Sequence, residues 1–211
     1  MLKPLFFAGL LLWTQSFAAL GAPVILVLGD SLSAGYGLDL EQGWVFLLGR
    51  RLAEGGWPHQ VVNAGVSGDT TAGGLTRLPD LLERHRPSLV IIELGANDGL
   101  RGFGFAQTEE NLTALVGLAK QAGSQVLLVG TRLPPNYGAA YTDGFQAIYP
   151  RVAKAAGVPL VPRLLAGVAD DRSLMQADGL HPTAAAQELV LDNVWPLLEP
   201  MLGPATADRG H

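Results

Sequence analysis

Short apolar runs alternate with stretches of helix-spaced apolar residues along most of this 211-residue chain. The runs lie over 24–28, 59–63, 88–94, 125–129 and 158–161, and they read as buried strands. Between them the apolar positions recur every three or four residues. Trp44, Leu47, Leu48 and Leu52 mark a helix over 43–54, and Leu75, Leu78, Leu81 and Leu82 mark another over 71–84. Pro79 inside the latter predicts a kink or a restarted first turn. Thr108 is placed to cap a helix over 108–121, with Glu109 and Glu110 in its first turn. Further helices are expected over 142–156 and 183–198. Strands that alternate with helices pair in parallel through right-handed crossovers. The pattern therefore predicts a three-layer αβα sandwich, with no internal repeat.

The first residues follow a different pattern. Lys3 precedes an apolar run over 4–13, and the small residues Ala18, Ala19, Gly21 and Ala22 follow. Charge, apolar core and small residues in that order describe a secretory leader. Cleavage after Ala18, Gly21 or Ala22 fits equally. The apolar run is shorter than the about 20 residues a bilayer span needs. An uncleaved anchor is the competing reading, and the small-residue cluster favours cleavage. The chain thus divides into a leader over 1–22, a folded body over 23–202 and a polar, disordered tail over 203–211. No second long apolar stretch follows, so no stable membrane insertion is expected after cleavage.

Composition narrows the chemistry. Hydrophobic residues make up 48% and charged residues 16%, enough apolar material for a full core. The net charge of -5 leaves no basic footprint, which argues against nucleic acid as a partner. The chain has no cysteine, so disulfides, thiolate metal sites and a cysteine nucleophile are excluded. The histidines are His59, His85, His181 and His211, and they form no close cluster; neither a metal nor another cofactor is expected.

Against that background Gly29-Asp30-Ser31 stands out, because it follows the first predicted strand directly. Open α/β sheets place ligands at the carboxyl ends of their strands, so Ser31 is a candidate nucleophile. A serine also needs a base, a group to orient that base, and donors for the developing oxyanion. His181 is the candidate base and Asp178, three residues earlier, the candidate orienting carboxylate. Pro182 is placed to start the helix that follows. Gly68 and Asn97 are candidate oxyanion donors. Each piece has an ordinary structural reading: Asp30 or Ser31 as a helix cap, Asp178-Gly179 and Asn97-Asp98-Gly99 as turns, Gly68 as a tight bend. Their joint occurrence at predicted strand ends, in complementary roles, favours the chemical one.

These segments resemble the SGNH (GDSL) hydrolase superfamily. Within it the chain is similar to the bacterial periplasmic thioesterase, arylesterase and lysophospholipase family. The matching segments are GDSLSAGYG at 29–37, VVNAGVSGDTTAGGLTRLP at 61–79, IIELGANDGLRG at 91–102, RLPPNYG at 132–138, AIYP at 147–150 and MQADGLHP at 175–182. The resemblance implies Ser31, Asp178 and His181 as a triad. It implies an oxyanion hole of the Ser31 N–H, the Gly68 N–H and Asn97 Nδ2. It implies a flavodoxin-like fold with a five-stranded parallel sheet in order 2-1-3-4-5, and a periplasmic location. Two departures lie beside the implied donors: Ala64-Gly65-Val66 replaces a more usual Ala-Ser-Ile, and Ala96 stands where glycine is common. The GxSxG elbow, the GxGxxG fingerprint and the GxxxxGK[ST] loop are all absent.

The expected partner is a small-molecule ester or thioester, acted on by a monomer. Phe103, Phe105, Leu133, Pro134, Pro135 and Tyr137 follow the motif loops. They either line an acyl or aryl groove or pack on one another as a lid. A carbohydrate O-acetylesterase and a non-catalytic binding protein on the same scaffold are the alternatives.

Overall fold

The computed structural model describes residues 21–205. The expected leader over 1–22 and tail over 203–211 therefore lie outside the described residues, except for 21–22 and 203–205. The elements are β1 (Val24–Gly29), α1 (Ser31–Ala34), α2 (Trp44–Glu54), β2 (Gln60–Asn63), α3 (Thr71–His85), β3 (Leu89–Glu93), α4 (Ala96–Leu100), α5 (Phe105–Gln121), β4 (Gln125–Val129), α6 (Ala139–Gln146), α7 (Ile148–Ala156), β5 (Leu160–Val161) and α8 (Gln187–Leu198). All strand pairs are parallel, and the sheet order is β2-β1-β3-β4-β5. Both the αβα class and the 2-1-3-4-5 order expected from the sequence are what the chain adopts.

Strand alternation splits the core in two. Ile25, Val27, Leu89, Ile91, Leu127 and Val129 face α2 and α8. Leu26, Leu28, Val90, Ile92, Val126 and Leu128 face the helices α3, α5 and α7. These strand residues are at most 2% exposed, so both sheet faces are covered. That is why the strands read as continuous apolar runs rather than alternating ones. Burying each such side chain contributes roughly 1.5–3 kcal/mol. Trp44 opens α2 fully buried, and its backbone N–H donates to Gln187 Oε1 of α8 at 3.0 Å.

Several boundaries differ from expectation. Helix α3 runs through Pro79 without a restart. Helix α5 begins at Phe105 with Gly104 as its cap, so Thr108 is not a cap. Thr108 is buried, and its hydroxyl donates back to the Gly104 carbonyl at 3.3 Å. The helix expected over 142–156 is two helices, α6 and α7, and β5 is only two residues long. Pro182 does not start a helix; it pairs with Met175 in an isolated antiparallel bridge, and α8 begins after a 3₁₀ turn over Ala184–Ala186. No helix among the described residues is long and apolar enough to cross a membrane.

Candidate active site

The carboxyl ends of β1 and β3 converge beside the surface loop 175–182. Asp30 follows the last residue of β1 and caps α1: its Oδ1 accepts from the Leu32 N–H at 3.0 Å. The capping reading and the chemical reading of Asp30-Ser31 are thus compatible. The cap presents Ser31 at the first helical position, where a backbone N–H has no intrahelical partner.

His181 reaches Ser31 from across the molecule. Its Nε2 lies 2.8 Å from Ser31 Oγ, and its Nδ1 lies 2.6 Å from Asp178 Oδ2. The other carboxylate oxygen of Asp178 accepts from the backbone N–H groups of Leu180 and His181, at 2.9 and 3.0 Å. Partial burial pushes the Asp178 carboxyl up, but the bonds from His181 and these two N–H groups outweigh it and hold the pKa at about 2. Asp178 is therefore a carboxylate at neutral pH, able to keep the Nδ1 proton on the imidazole and leave Nε2 facing the serine.

The loop carrying this pair is folded back by Gln176. Its backbone N–H donates to the His181 carbonyl at 2.8 Å, and its Nε2 donates to the carbonyls of Tyr36 at 2.8 Å and Pro182 at 3.0 Å. The Tyr36 ring lies over the imidazole with centroids 4.4 Å apart. Sequence reasoning missed Gln176 and Tyr36. Both lie inside matched segments, but neither residue type signals chemistry by itself.

Opposite the imidazole lie Gly68 and Asn97. Gly68 has φ +79°, a conformation that favours glycine, and its carbonyl accepts from Arg101 Nη2 at 2.8 Å. Among the described residues no acceptor faces the Gly68 N–H. Asn97 sits in the first turn of α4, after Gly95 at φ +115°. The adjacent Asp98 is buried and accepts from the Thr71 N–H at 2.9 Å and from its hydroxyl at 2.5 Å. This pair ties the Asn97 turn to the start of α3, and so to the Gly68 loop.

Beneath the serine lies a buried acidic pair. Glu93 ends β3, directly across from Gly29 in the register. Its Oε2 accepts from the Ser33 hydroxyl at 2.7 Å and from the Asp30 N–H at 3.4 Å. Burial, with the Asp30 charge adding to it, pushes the Glu93 carboxyl well above the usual range. Burial likewise raises Asp30 to about 6, opposed by the Leu32 N–H, His181 and Asn97. Neither acid stood out in the sequence as more than a cap or a strand end.

A cleft of about 530 Å³ opens over these groups. Leu100, Leu133, Pro134 and Pro135 line it, together with Leu165, Met175 and Leu180, and with Arg132 and Arg163. Leu133 and Pro134 thus lie where a groove was expected. Phe103, Phe105 and Tyr137 do not line it. Phe105 packs on Tyr141 and Phe145, with centroids 5.0 and 5.9 Å apart. Tyr137 donates to the Leu100 carbonyl at 3.0 Å and stacks on Tyr141. Phe103 is 44% exposed outside the cleft. Phe105 and Tyr137 follow the lid-packing alternative, both rings packing on Tyr141 of α6.

A parallel αβα sheet that carries serine, imidazole and carboxylate in hydrogen-bonded sequence at its strand ends has the layout of an acyl-transferring hydrolase. Residues 27–189 match the GDSL-like Lipase/Acylhydrolase family, and the chain belongs to it. It is 52% identical over 193 residues to Esterase TesA of Pseudomonas aeruginosa, spanning 92% of this chain and 94% of that protein. It is 46% identical over 184 residues to an Arylesterase of Vibrio mimicus, spanning 87% of this chain and 92% of the relative. It is 44% identical over 189 residues to the Thioesterase 1/protease 1/lysophospholipase L1 of Escherichia coli, spanning 89% of this chain and 88% of the relative. The crystal structure of TesA superposes with a TM-score of 0.83 at 53% identity, covering 84% of this chain and 99% of that one. The psychrotrophic esterase EstA from Pseudoalteromonas sp., inhibited by monoethylphosphonate, superposes with a TM-score of 0.81 at 40% identity, covering 86% of this chain and 99% of that one.

Proposed function

We propose that this protein hydrolyses carboxylic esters and thioesters through an acyl-enzyme on Ser31. The hydrogen-bonded chain Asp178 Oδ2–His181–Ser31 Oγ carries the reading, at 2.6 and 2.8 Å. Ser31 Oγ attacks the acyl carbonyl carbon while His181 Nε2 takes its proton. The carbonyl oxygen becomes an oxyanion, which the Ser31 N–H, the Gly68 N–H and Asn97 Nδ2 are placed to receive. Collapse of this intermediate breaks the bond to the leaving oxygen or sulfur, and the imidazolium supplies its proton. Water then attacks the acyl-serine, gives a proton to His181, and releases the acid and free Ser31. Asp178 orients the imidazole and offsets its charge throughout.

Leu133 and Pro134 supply apolar contact for the acyl or aryl group. The names of the relatives support aryl esters, acyl thioesters and lysophospholipids as the substrate classes to test. The protein works in the periplasm after loss of the 1–22 leader; Lys3, the apolar run and the small-residue cluster support export.

A fluorophosphonate probe should label Ser31 of the wild type and fail on Ser31→Ala. The labelled enzyme should lose hydrolysis of p-nitrophenyl esters and acyl-thioesters together. Labelling without loss of hydrolysis would refute the assignment. Exclusive turnover of acetylated sugars would favour the O-acetylesterase alternative.

A further inference from the structure

The cleft has a charged end. Its lining runs from Ser31 after β1 and Asn97 after β3 to Arg132 and Leu133 after β4, then to Arg163 and Leu165 after β5. The sheet order puts these strand ends in one row. Neighbouring strands lie about 4.8 Å apart, so the ends of β4 and β5 are about 10 and 14 Å from that of β1. The loops after β4 and β5 are stitched together. The Gly130 N–H donates to the Val161 carbonyl at 2.7 Å, and the Leu164 N–H to the Gly130 carbonyl at 3.0 Å. A side chain on Gly130 would collide with the Pro162 carbonyl. Arg132 and Arg163 are therefore held on adjoining turns.

Little neutralises these two cations. Arg163 Nη2 lies 3.5 Å from Asp170 Oδ2, and the Asp170 side chain is 78% exposed. A pair that long and that wet holds Arg163 only weakly. Among the described residues Arg132 has no carboxylate partner. The other aspartate lining the cleft, Asp30, is 1% exposed in its floor. Two guanidiniums thus face one loosely held carboxylate, in a chain whose net charge is -5.

We propose that Arg132 and Arg163 form a subsite for an anionic group carried by the ester substrate. The inference rests on the acyl-enzyme reading above and names the class of ester that the site favours. A guanidinium presents paired N–H donors in one plane, which match the oxygens of a carboxylate or a phosphate. Leu133 and Pro134 line the stretch between Ser31 and the arginines. The favoured ester therefore has its attacked carbonyl at one end, its charge at the other and an uncharged middle. Two sources supply such a charge: an acyl chain that ends in a carboxylate, or an alcohol part that ends in a phosphate.

The test compares kcat/KM for each anionic ester with that of a neutral partner of similar length. One arm uses p-nitrophenyl half-esters of a graded series of dicarboxylic acids, each against its terminal amide. The other uses short-chain 1-acylglycerol 3-phosphate against 1-acylglycerol, read by release of acid. In the wild type at least one arm should favour the anion about tenfold, the size of one charge-assisted contact. The arm that does so tells whether the charge sits on the acyl or the alcohol part. The preference should fall at least about threefold between ~0.01 and ~1 M salt. Arg132→Gln and Arg163→Gln should each reduce it to about threefold or less, and the double variant should abolish it. Asp170→Asn, which releases Arg163, should raise it about twofold. Because the readout is a ratio of two substrates, a variant that merely weakens the whole site leaves it unmoved, and the salt dependence requires no variant at all. Equal rates on charged and neutral partners in both arms would overturn the inference, as would a preference that survives in the double variant. If Ser31→Ala stayed active, the acyl-enzyme reading would fall and take the inference with it; an inactive Ser31→Ala beside equal rates in the wild type would remove the inference alone.

Discussion

The two sides of the cleft are built in different ways. Ser31 and Asn97 stand in the helical turns that follow strand ends, where polar contacts that are buried or partly buried join distant parts of the chain, as Ser33–Glu93, Asn97–Asp30 and Thr71–Asp98 do. Asp178 and His181 stand on a surface loop held mostly by bonds within 175–183, and the Asp178 side chain is 37% exposed. The floor therefore shares its stability with the core, whereas the loop can lose its geometry while the core stays folded. Ser31 and the candidate donors are held by the core, and His181 by its loop.

The comparison is broken most severely at the reacting atoms. Ser31→Ala and His181→Ala should each lower kcat by on the order of 10⁶-fold, and the double variant should be little worse than either. Melting temperatures should stay close to the wild type, because neither side chain belongs to a core cluster. Additive losses in kcat would show that the two groups do not work as a unit.

Asp178→Asn should cost roughly 10⁴-fold, by analogy with the orienting carboxylates of other triads. It also tests the loop's own energetics. The folded carboxyl lies at about 2 against a usual 3.8, so its contribution to stability is full above 3.8 and lost as pH falls through 2. The variant should show a shallower loss of stability across that window in denaturant titrations, modest in size because the group is partly exposed.

Gln176→Ala should sharpen the contrast. It removes two bonds to carbonyls that fold the loop against Tyr36. We expect kcat to fall roughly tenfold, the equivalent of about 1–1.5 kcal/mol of mispositioning, with little change in melting temperature. A large drop in melting temperature would make the loop part of the core after all.

The smallest effect should come from Leu133→Ala. Each methylene buried along the cleft is worth about 0.8 kcal/mol, or roughly fourfold in kcat/KM. Across a series of p-nitrophenyl esters the variant should flatten the rise with acyl length and leave the acetyl ester nearly unchanged. Both Leu133→Ala and Phe105→Ala should lower stability, because Leu133 is buried in the core beneath the cleft and the Phe105 ring packs on Tyr141 and Phe145, but only Leu133→Ala should alter the series.

Legibility in the sequence follows the same division. The strands were readable because both sheet faces are buried, which leaves uninterrupted apolar runs. The serine, the histidine and its aspartate were readable because their residue types and spacing imply chemistry. The start of α5 was not: Gly104 caps it without a side-chain signal, so Thr108 looked like the better cap. The lining of the cleft was not decidable for Phe103, Phe105 and Tyr137, because an aromatic in a loop fits equally as a wall or as a packing ring. Asp30 and Glu93 were hidden for a third reason. Their significance lies in each other and in Asn97, 67 positions beyond Asp30, which no local pattern connects.

The Ser31–His181 bond joins residues 150 positions apart. Synthesis delivers the serine early and the imidazole near the end, so no nascent intermediate holds both halves of the reaction. The pairing is also among the most non-local contacts in the fold, and loop closure of that length is slow to be rewarded. Esterase activity is thus a clock for the completion of folding: on refolding from denaturant it should return with the slowest conformational phase and never ahead of it.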